Sequence, residues 1–174
     1  MTPERIEELR LTAPDEAAIA ALLGRCFGTD FGGRSCFMQR HHVRLVLRDP
    51  GIVGHIGLTF RHIRQGDRLI PILGVADVAT DPDRRGQGIA ARLLQVVIAE
   101  GHAGPADFIL LFGTAGLYAG AGFRPVTNHL RAVDMTDAIT RSIIKAPSDS
   151  LMVLPLRQQQ WDESAPLDML GHLF

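Results

Sequence analysis

A glycine-rich turn between an apolar strand and an amphipathic helix constrains this chain more than any other feature. Residues 75–90 read VADVATDPDRRGQGIA, and the spacing of apolar residues predicts a helix over 85–100. Unpaired N–H groups and the positive dipole end of a helix's first turn form an anion site. Gly86 and Gly88 let the backbone approach a phosphate without a Cβ in the way. The segment therefore predicts a phosphate-binding turn.

Three kinds of phosphate site compete for this turn. A P-loop requires Lys-Ser or Lys-Thr after its last glycine, where this chain has Ile89 and Ala90. A dinucleotide fingerprint is formally matched by Gly86, Gly88 and Ala91, but it stands too far from the strand and lacks the acid that should end the next strand. A coenzyme A pyrophosphate is the third kind, because RGQGIA fits the pattern (Q/R)-x-x-G-x-(G/A). A turn that only caps the helix, without a ligand, is the remaining alternative.

The rest of the chain has the periodicity of an α/β protein. Strand signals lie at residues 6–11, 42–48, 52–64, 69–80, 108–112, 130–135 and 151–156, and helical signals at 12–27, 85–100 and 114–121. Turn residues at 49–51 and 65–67 join three strands into an antiparallel meander. The next helix and the wholly apolar strand after it indicate a crossover. The order predicts a mixed rather than a wholly parallel sheet.

Composition narrows the class of protein. The chain has 174 residues, 46% hydrophobic and 21% charged, which predicts one globular domain over residues 1–174. A net charge of −1 and short apolar runs predict neither a nucleic-acid partner nor a membrane one. Two cysteines and an N-terminus without a signal-peptide pattern favour a cytoplasmic protein. The cysteines and histidines lack metal-ligand spacing, so no metal is expected. The sequence leaves a homodimer open.

Several segments together resemble the GNAT superfamily of N-acetyltransferases. RGQGIA resembles the coenzyme turn of that family, residues 78–80 stand before it, and Leu117-Tyr118 with Gly122-Phe123 follow the next strand. The resemblance covers most of the chain. It implies the GNAT fold, a mixed and mostly antiparallel sheet with helices on both faces and a splayed central strand pair. It also implies acetyl-CoA as co-substrate and direct acetyl transfer to a primary amine of a small molecule or peptide.

The same resemblance assigns candidate residues for binding and catalysis. The pantetheine arm is expected on the backbone of Val78, Ala79 and Thr80, where a strand N–H near Val78 stabilises the oxyanion. The turn is expected to hold the pyrophosphate through Arg84, Arg85, Gly86, Gln87, Gly88, Ile89 and Ala90. Tyr118 matches the tyrosine that protonates the leaving thiolate, which suits a phenol that is protonated at pH 7. A packing role is the alternative for Tyr118.

The base that deprotonates the amine is assigned from position alone. Asp77 precedes the turn and is the acid nearest to the expected thioester, so it is the second catalytic candidate. A hydrogen-bonded strand residue is the alternative role for Asp77. His55, on the polar side of its strand, is interpreted as structural. Arg34 and Arg40 lie where the family builds its acceptor pocket and favour an acidic acceptor.

Two alternative functions stay open. The chain is also similar to the nodulation-type N-acyltransferase branch at HIGL (55–58), at Gly74-Val75, and in the tail from Leu151–Leu156 through Trp161 and Leu167-Asp168 to Gly171. That narrower resemblance implies transfer of a long acyl chain to an amino sugar. The other alternative is a non-catalytic regulatory domain that binds coenzyme A, against which the intact Tyr118 argues.

Overall fold

The protein is built around one ten-stranded sheet in a computed structural model that describes residues 2–114 and 116–174. The strands are β1 (Glu4–Glu7), β2 (Val43–Arg48), β3 (Ile52–Gln65), β4 (Arg68–Thr80), β5 (Phe108–Phe112), β6 (Arg124–Pro125), β7 (His129–Val133), β8 (Ile143–Pro147), β9 (Leu151–Pro155) and β10 (Leu167–His172). The α-helices are α1 (Ala13–Phe27), α2 (Ile89–Ala103) and α3 (Gly116–Gly120). No helix within these two described ranges has the length and apolar character needed to cross a membrane.

The sheet is mixed and mostly antiparallel, as predicted. Its main path runs β6-β9-β5-β4-β3-β10-β7-β8, and β2 pairs with both β1 and β3. β2, β3 and β4 form the predicted antiparallel meander. β4 and β5 are parallel neighbours joined through α2, and β7 and β10 are also parallel.

The two long helices cover opposite faces of this sheet. Val46 of β2 packs in the cluster that holds α1, whereas the next residue, Leu47, packs in the cluster that holds α2. Successive side chains of a strand point to opposite faces, so the helices lie on either side. α1 is capped at Thr12, whose side chain accepts a hydrogen bond from the Asp15 N–H.

β4 and β5 separate in the middle of the sheet. Their pairing ends at Val75 opposite Leu111, although β4 continues to Thr80. Beside this point β4 carries one residue more than its partner β3, and Asp77 has a φ of 51°. Such a bulge bends its strand. The splayed strand pair that the GNAT resemblance implies therefore lies between the end of β5 and the second half of β4.

Several predicted boundaries differ in the structure, mostly by one to four residues. The strand predicted over 6–11 is β1 followed by a 3-10 turn, in which the Leu11 N–H donates to the Glu8 carbonyl. The helix predicted from residue 85 begins at Ile89, because Gly86 and Gly88 have left-handed φ values of 76° and 72°. The helix predicted over 114–121 is observed as α3. Its predicted span includes residue 115, which lies outside the described residues.

Candidate active site

A groove of about 490 Å³ runs along the end of β4 and the start of α2. Most of the predicted cofactor-binding residues line it, namely Val78, Ala79, Thr80, Arg85, Gly86, Gly88, Ile89 and Ala90. Cys26 and Phe27 of α1 also line it, and the Cys26 thiol donates to the Thr80 carbonyl oxygen at 3.3 Å. The turn and the strand end that the sequence marked are thus brought to one surface.

The start of α2 presents free backbone donors to this groove. The first helical hydrogen bond runs from the Arg92 N–H to the Gly88 carbonyl at 3.0 Å. The N–H groups of residues 89–91 therefore have no acceptor within the helix. A Cβ placed on Gly86 or Gly88 would have no described atom within 4 Å. Glycine is required there by the left-handed backbone rather than by crowding, and the open space admits an anion.

Arg84 and Gln87 lie outside the lining of the groove. The Arg84 guanidinium pairs with the Asp49 carboxylate and donates from Nε to Gln87 Oε1 at 3.1 Å. This ion pair lowers the pKa of Asp49. The two side chains hold the turn against the β2–β3 connection, while Arg85 faces the groove.

A second cavity, of about 300 Å³, fills the opening between β4 and β5. Its lining comes from β4, β5, α3, the end of α1 with the loop after it, and the segment that follows β10. The lining residues are Phe27, Asp30, Phe31, Phe37, Val75, Ala76, Asp77, Val78, Leu111, Phe112, Tyr118 and Phe174. Phe27 and Val78 line both this cavity and the groove. The two spaces therefore adjoin at the end of the splayed strand.

Tyr118, the predicted acid, stands in the wall of this cavity. Burial raises the pKa of its phenol, which keeps the hydroxyl protonated near neutral pH. Its ring packs edge-on against Phe123 at 6.2 Å, and the Phe123 N–H donates to the Tyr118 carbonyl at 3.0 Å. Gly113 lies so close that an added Cβ would be 2.9 Å from the ring. The Leu-Tyr and Gly-Phe pairs of the sequence are thus one packed unit that orients the phenol.

Asp77, the predicted base, lies in the same wall and pairs with His41. The Asp77 Oδ2 lies 2.7 Å from His41 Nε2 and accepts a hydrogen bond from the Phe37 N–H at 3.3 Å. Behind it, His41 Nδ1 is 3.4 Å from Thr59 Oγ1. Within residues 2–114 and 116–174, nothing donates to the other oxygen, Oδ1. The hydrogen bonds of the Asp77 carboxylate to the described protein thus involve one oxygen, Oδ2.

His55, which the sequence interpretation takes as structural, is fully buried and hydrogen-bonded. Its Nδ1 lies 2.8 Å from the Asp77 carbonyl oxygen, and its Nε2 lies 3.3 Å from Arg44 Nη1. Burial and the Arg44 charge lower the pKa of His55 to about 3, so the ring is neutral. Arg44 in turn makes two hydrogen bonds to Glu8, at 2.7 and 3.0 Å. This network of Glu8, Arg44 and His55 holds the Asp77 carbonyl, and with it the backbone of the bulge, in place.

The expected attraction of an acidic acceptor by Arg34 and Arg40 is not supported by their positions. Arg34 donates to the Phe37 carbonyl at 2.9 Å, and Arg40 pairs with Glu8 and Glu16. Neither lines the cavity, to which the segment 33–40 contributes Phe37 alone. Across the described part of the chain, no three His, Cys, Asp or Glu side chains converge as metal ligands.

Comparison with known families agrees with this architecture. The sequence model described as an acetyltransferase (GNAT) domain matches residues 9–126. The match covers the capped helix α1, the meander, the glycine-rich turn and α3. The chain belongs to this GNAT acetyltransferase family.

Solved structures share the fold at low sequence identity. A GNAT family acetyltransferase from Brucella melitensis, in complex with acetyl-CoA, is 17% identical with a TM-score of 0.57 and 94% coverage of each chain. YhbS from Escherichia coli, in complex with CoA, is 19% identical with a TM-score of 0.57, over 90% of this chain and 83% of that one. A GCN5-related N-acetyltransferase from Kribbella flavida is 17% identical with a TM-score of 0.53, over 73% of this chain. The match spans only 33% of that longer protein. Comparison with curated protein sequences gives no match.

Proposed function

We propose that this GNAT domain transfers an acetyl group directly from acetyl-CoA to a primary amine. The observation that carries the proposal is the junction of the groove with the cavity at Phe27 and Val78. On one side lies an anion-binding helix terminus, and on the other lie Tyr118 and Asp77. Relatives of the same fold that were solved with acetyl-CoA and CoA support this choice of co-substrate.

The groove residues bind the coenzyme through both backbone and side-chain contacts. The N–H groups of residues 86–90 and the Arg85 guanidinium bind the pyrophosphate. The edge of β4 over 78–80, which β5 leaves unpaired, binds the pantetheine amides in the manner of an added strand. Arg84 and Gln87 support this turn through their mutual hydrogen bond, so their side chains contribute to affinity indirectly.

The cavity residues perform the proton transfers. Asp77 Oδ1 accepts a proton from the ammonium group of the acceptor, and His41 holds the carboxylate in place. The neutral amine attacks the thioester carbon, so that a C–N bond forms and the C–S bond breaks. A strand N–H near Val78 stabilises the oxyanion. Tyr118 donates its proton to the departing sulfur and regains one from the attacking nitrogen. Of the two protons that the ammonium loses, one thus ends on the thiol and one in solvent.

A calorimetric titration with acetyl-CoA tests the proposal, with NADH and a long-chain acyl-CoA as controls. We expect micromolar binding of acetyl-CoA and none of NADH. Subsequent release of CoA thiol in the presence of primary amines should depend on Tyr118. Preference for the long-chain donor would favour the nodulation-type alternative. Binding of acetyl-CoA without turnover of any amine would favour the regulatory alternative.

A further inference from the structure

The aromatic residues of this chain are concentrated at one cavity. The chain has eight Phe, one Tyr and one Trp, only 6% of its residues. Six of these ten line the cavity between β4 and β5: Phe27, Phe31, Phe37, Phe112, Tyr118 and Phe174. The reaction itself uses Tyr118 alone. The other five rings pack against the core clusters. Four of them, Phe27, Phe37, Phe112 and Phe174, are only half-buried, so part of each ring remains on the cavity beside the reacting centre, where an acceptor must bind.

The rings form two walls that face the same space. On the α1 side, Phe31 lies 5.0 Å from Phe27 and 5.4 Å from Phe37, measured between ring centroids. On the β5 side, Phe112 lies 5.6 Å from Phe174. Rings packed at such distances form rigid apolar surfaces that favour an aromatic or compact apolar ligand between them.

The only charged side chains of the described cavity lining are acidic. Asp30 lies exposed at the rim, and Asp77 lies in the wall between the strands. Arg61 stacks on the ring of Phe174 at 4.9 Å, but it donates to the His172 carbonyl and does not line the cavity. Aromatic faces and carboxylates both attract an ammonium group. The lining offers few hydrogen-bonding side chains to a polyhydroxylated sugar, and no cation to an acid.

From these walls and charges we infer that the acceptor is a small arylalkylamine, in which a short alkyl chain joins a primary amine to an aromatic ring. This inference rests on the proposed function and names its substrate class. The ring lies between the two aromatic walls, and the ammonium group is directed to Asp77 beside the thioester. The cavity volume of about 300 Å³ is at the lower end of small-molecule sites, which span roughly 300–1,000 Å³. A single-ring amine suits that volume better than a peptide does.

A panel of four acceptors with acetyl-CoA tests the inference. The acceptors are 2-phenylethylamine, glucosamine, glutamate and a short peptide with one lysine. We expect kcat/KM for 2-phenylethylamine to exceed the others by about tenfold or more. Equal or better turnover of the sugar, the acid or the peptide would overturn the inference and leave the proposed function standing. Failure to bind acetyl-CoA at all would overturn both.

Two variants and a control locate the effect in the cavity. Phe37→Leu should raise KM for 2-phenylethylamine roughly 3- to 30-fold at nearly unchanged kcat and acetyl-CoA affinity. Asp30→Asn, an exposed change with little effect on folding, should raise the same KM by a few-fold. Phe60→Leu is the matched control, because Phe60 lies on β3 outside the cavity and is 38% exposed. An equal effect of Phe60→Leu would contradict the assignment.

Direct binding keeps the inference testable when turnover is slow. We expect 2-phenylethylamine to bind the CoA-saturated protein in calorimetry, and Phe37→Leu to weaken that binding. No heat of binding at millimolar amine would overturn the inference. A preference for octanoyl-CoA over acetyl-CoA that Phe37→Leu abolishes would assign the cavity to an acyl chain and overturn it as well.

Discussion

His41 Nε2 lies 2.7 Å from Asp77 Oδ2, and the two side chains are only 4% and 5% exposed. The pair joins the segment just before β2 to the bulge of β4, and these two strands lie on either side of β3. Because the ring fixes one oxygen, the other keeps a constant direction relative to the cavity. A carboxylate held in this way is preorganised to take a proton from a ligand.

We expect Asp77→Asn to lower kcat about 10²- to 10⁴-fold, the range typical of a lost general base. Acetyl-CoA affinity should stay within twofold, since the groove is unchanged. Steady-state kinetics and calorimetry measure the two quantities separately. Asp67→Asn, in the exposed β3–β4 turn, is the control. Retention of full activity in Asp77→Asn would leave Asp77 as a structural strand residue.

Tyr118→Phe should lower kcat about 100-fold with little change in acetyl-CoA affinity. Burial raises the pKa of the Tyr118 phenol, so the native enzyme should keep its acid form beyond the usual tyrosine range. The decrease of kcat that follows from deprotonation of Tyr118 should therefore occur only above about pH 10. Equal losses in kcat and in affinity would indicate that Tyr118 only packs.

Arg85 and Arg84 should differ in their effect on coenzyme binding, although they are neighbours in sequence. Arg85→Gln should weaken acetyl-CoA binding about tenfold, because a charge-assisted hydrogen bond to a phosphate is lost. Arg84→Gln removes the ion pair with Asp49 and should weaken binding less. Calorimetry of the two variants gives the comparison. If the double variant binds as the native protein does, the pyrophosphate does not lie at this turn.

The buried neutral His55 makes the stability of the fold depend on pH. Its pKa falls to about 3 in the folded protein, from the usual value of 6.5. Below pH 6.5 the His55 ring is protonated in the unfolded chain but stays neutral in the folded protein. The free energy of unfolding therefore decreases as pH falls towards 3. This single group contributes at most about 1.4 kcal/mol per pH unit.

Urea unfolding between pH 4 and pH 7 measures that slope. We expect His55→Asn to be less stable at pH 7 and to show a shallower dependence on pH. His62→Asn is the matched control, since His62 is exposed on the same strand. An identical slope in both variants would show that His55 does not titrate in this way.

Sequence patterns predicted the local parts of this protein well and the long-range parts poorly. The strand Phe108–Phe112 has its predicted bounds, because a short apolar run between turn signals is a local feature. β10 was missed, since LDMLGH alternates poorly and becomes a strand by pairing with β3 and β7. β8 and the two-residue β6 were missed for the same reason.

In the candidate site, too, the local features could be predicted from the sequence and the long-range ones could not. The glycine-rich turn could be predicted because a phosphate-binding helix start is encoded in consecutive residues. The pairing of His41 with Asp77 could not, since it depends on the register of three strands. Nor does any local signal mark the bulge at Asp77, although aspartate tolerates a positive φ better than most residues do. The aromatic cavity collects rings from residues 27 to 174, and only the folded chain unites them.

The position of Cys26 gives the groove its own chemical reporter. Its thiol lies in the wall of the groove, and a bound coenzyme would shield it from an alkylating reagent such as iodoacetamide. The other cysteine, Cys36, is buried and its thiol pKa is raised by that burial, so it reacts slowly. Mass spectrometry of a single labelled site would then record occupancy of the groove without any acceptor. The extent of Cys26 labelling thus reports co-substrate binding independently of catalysis.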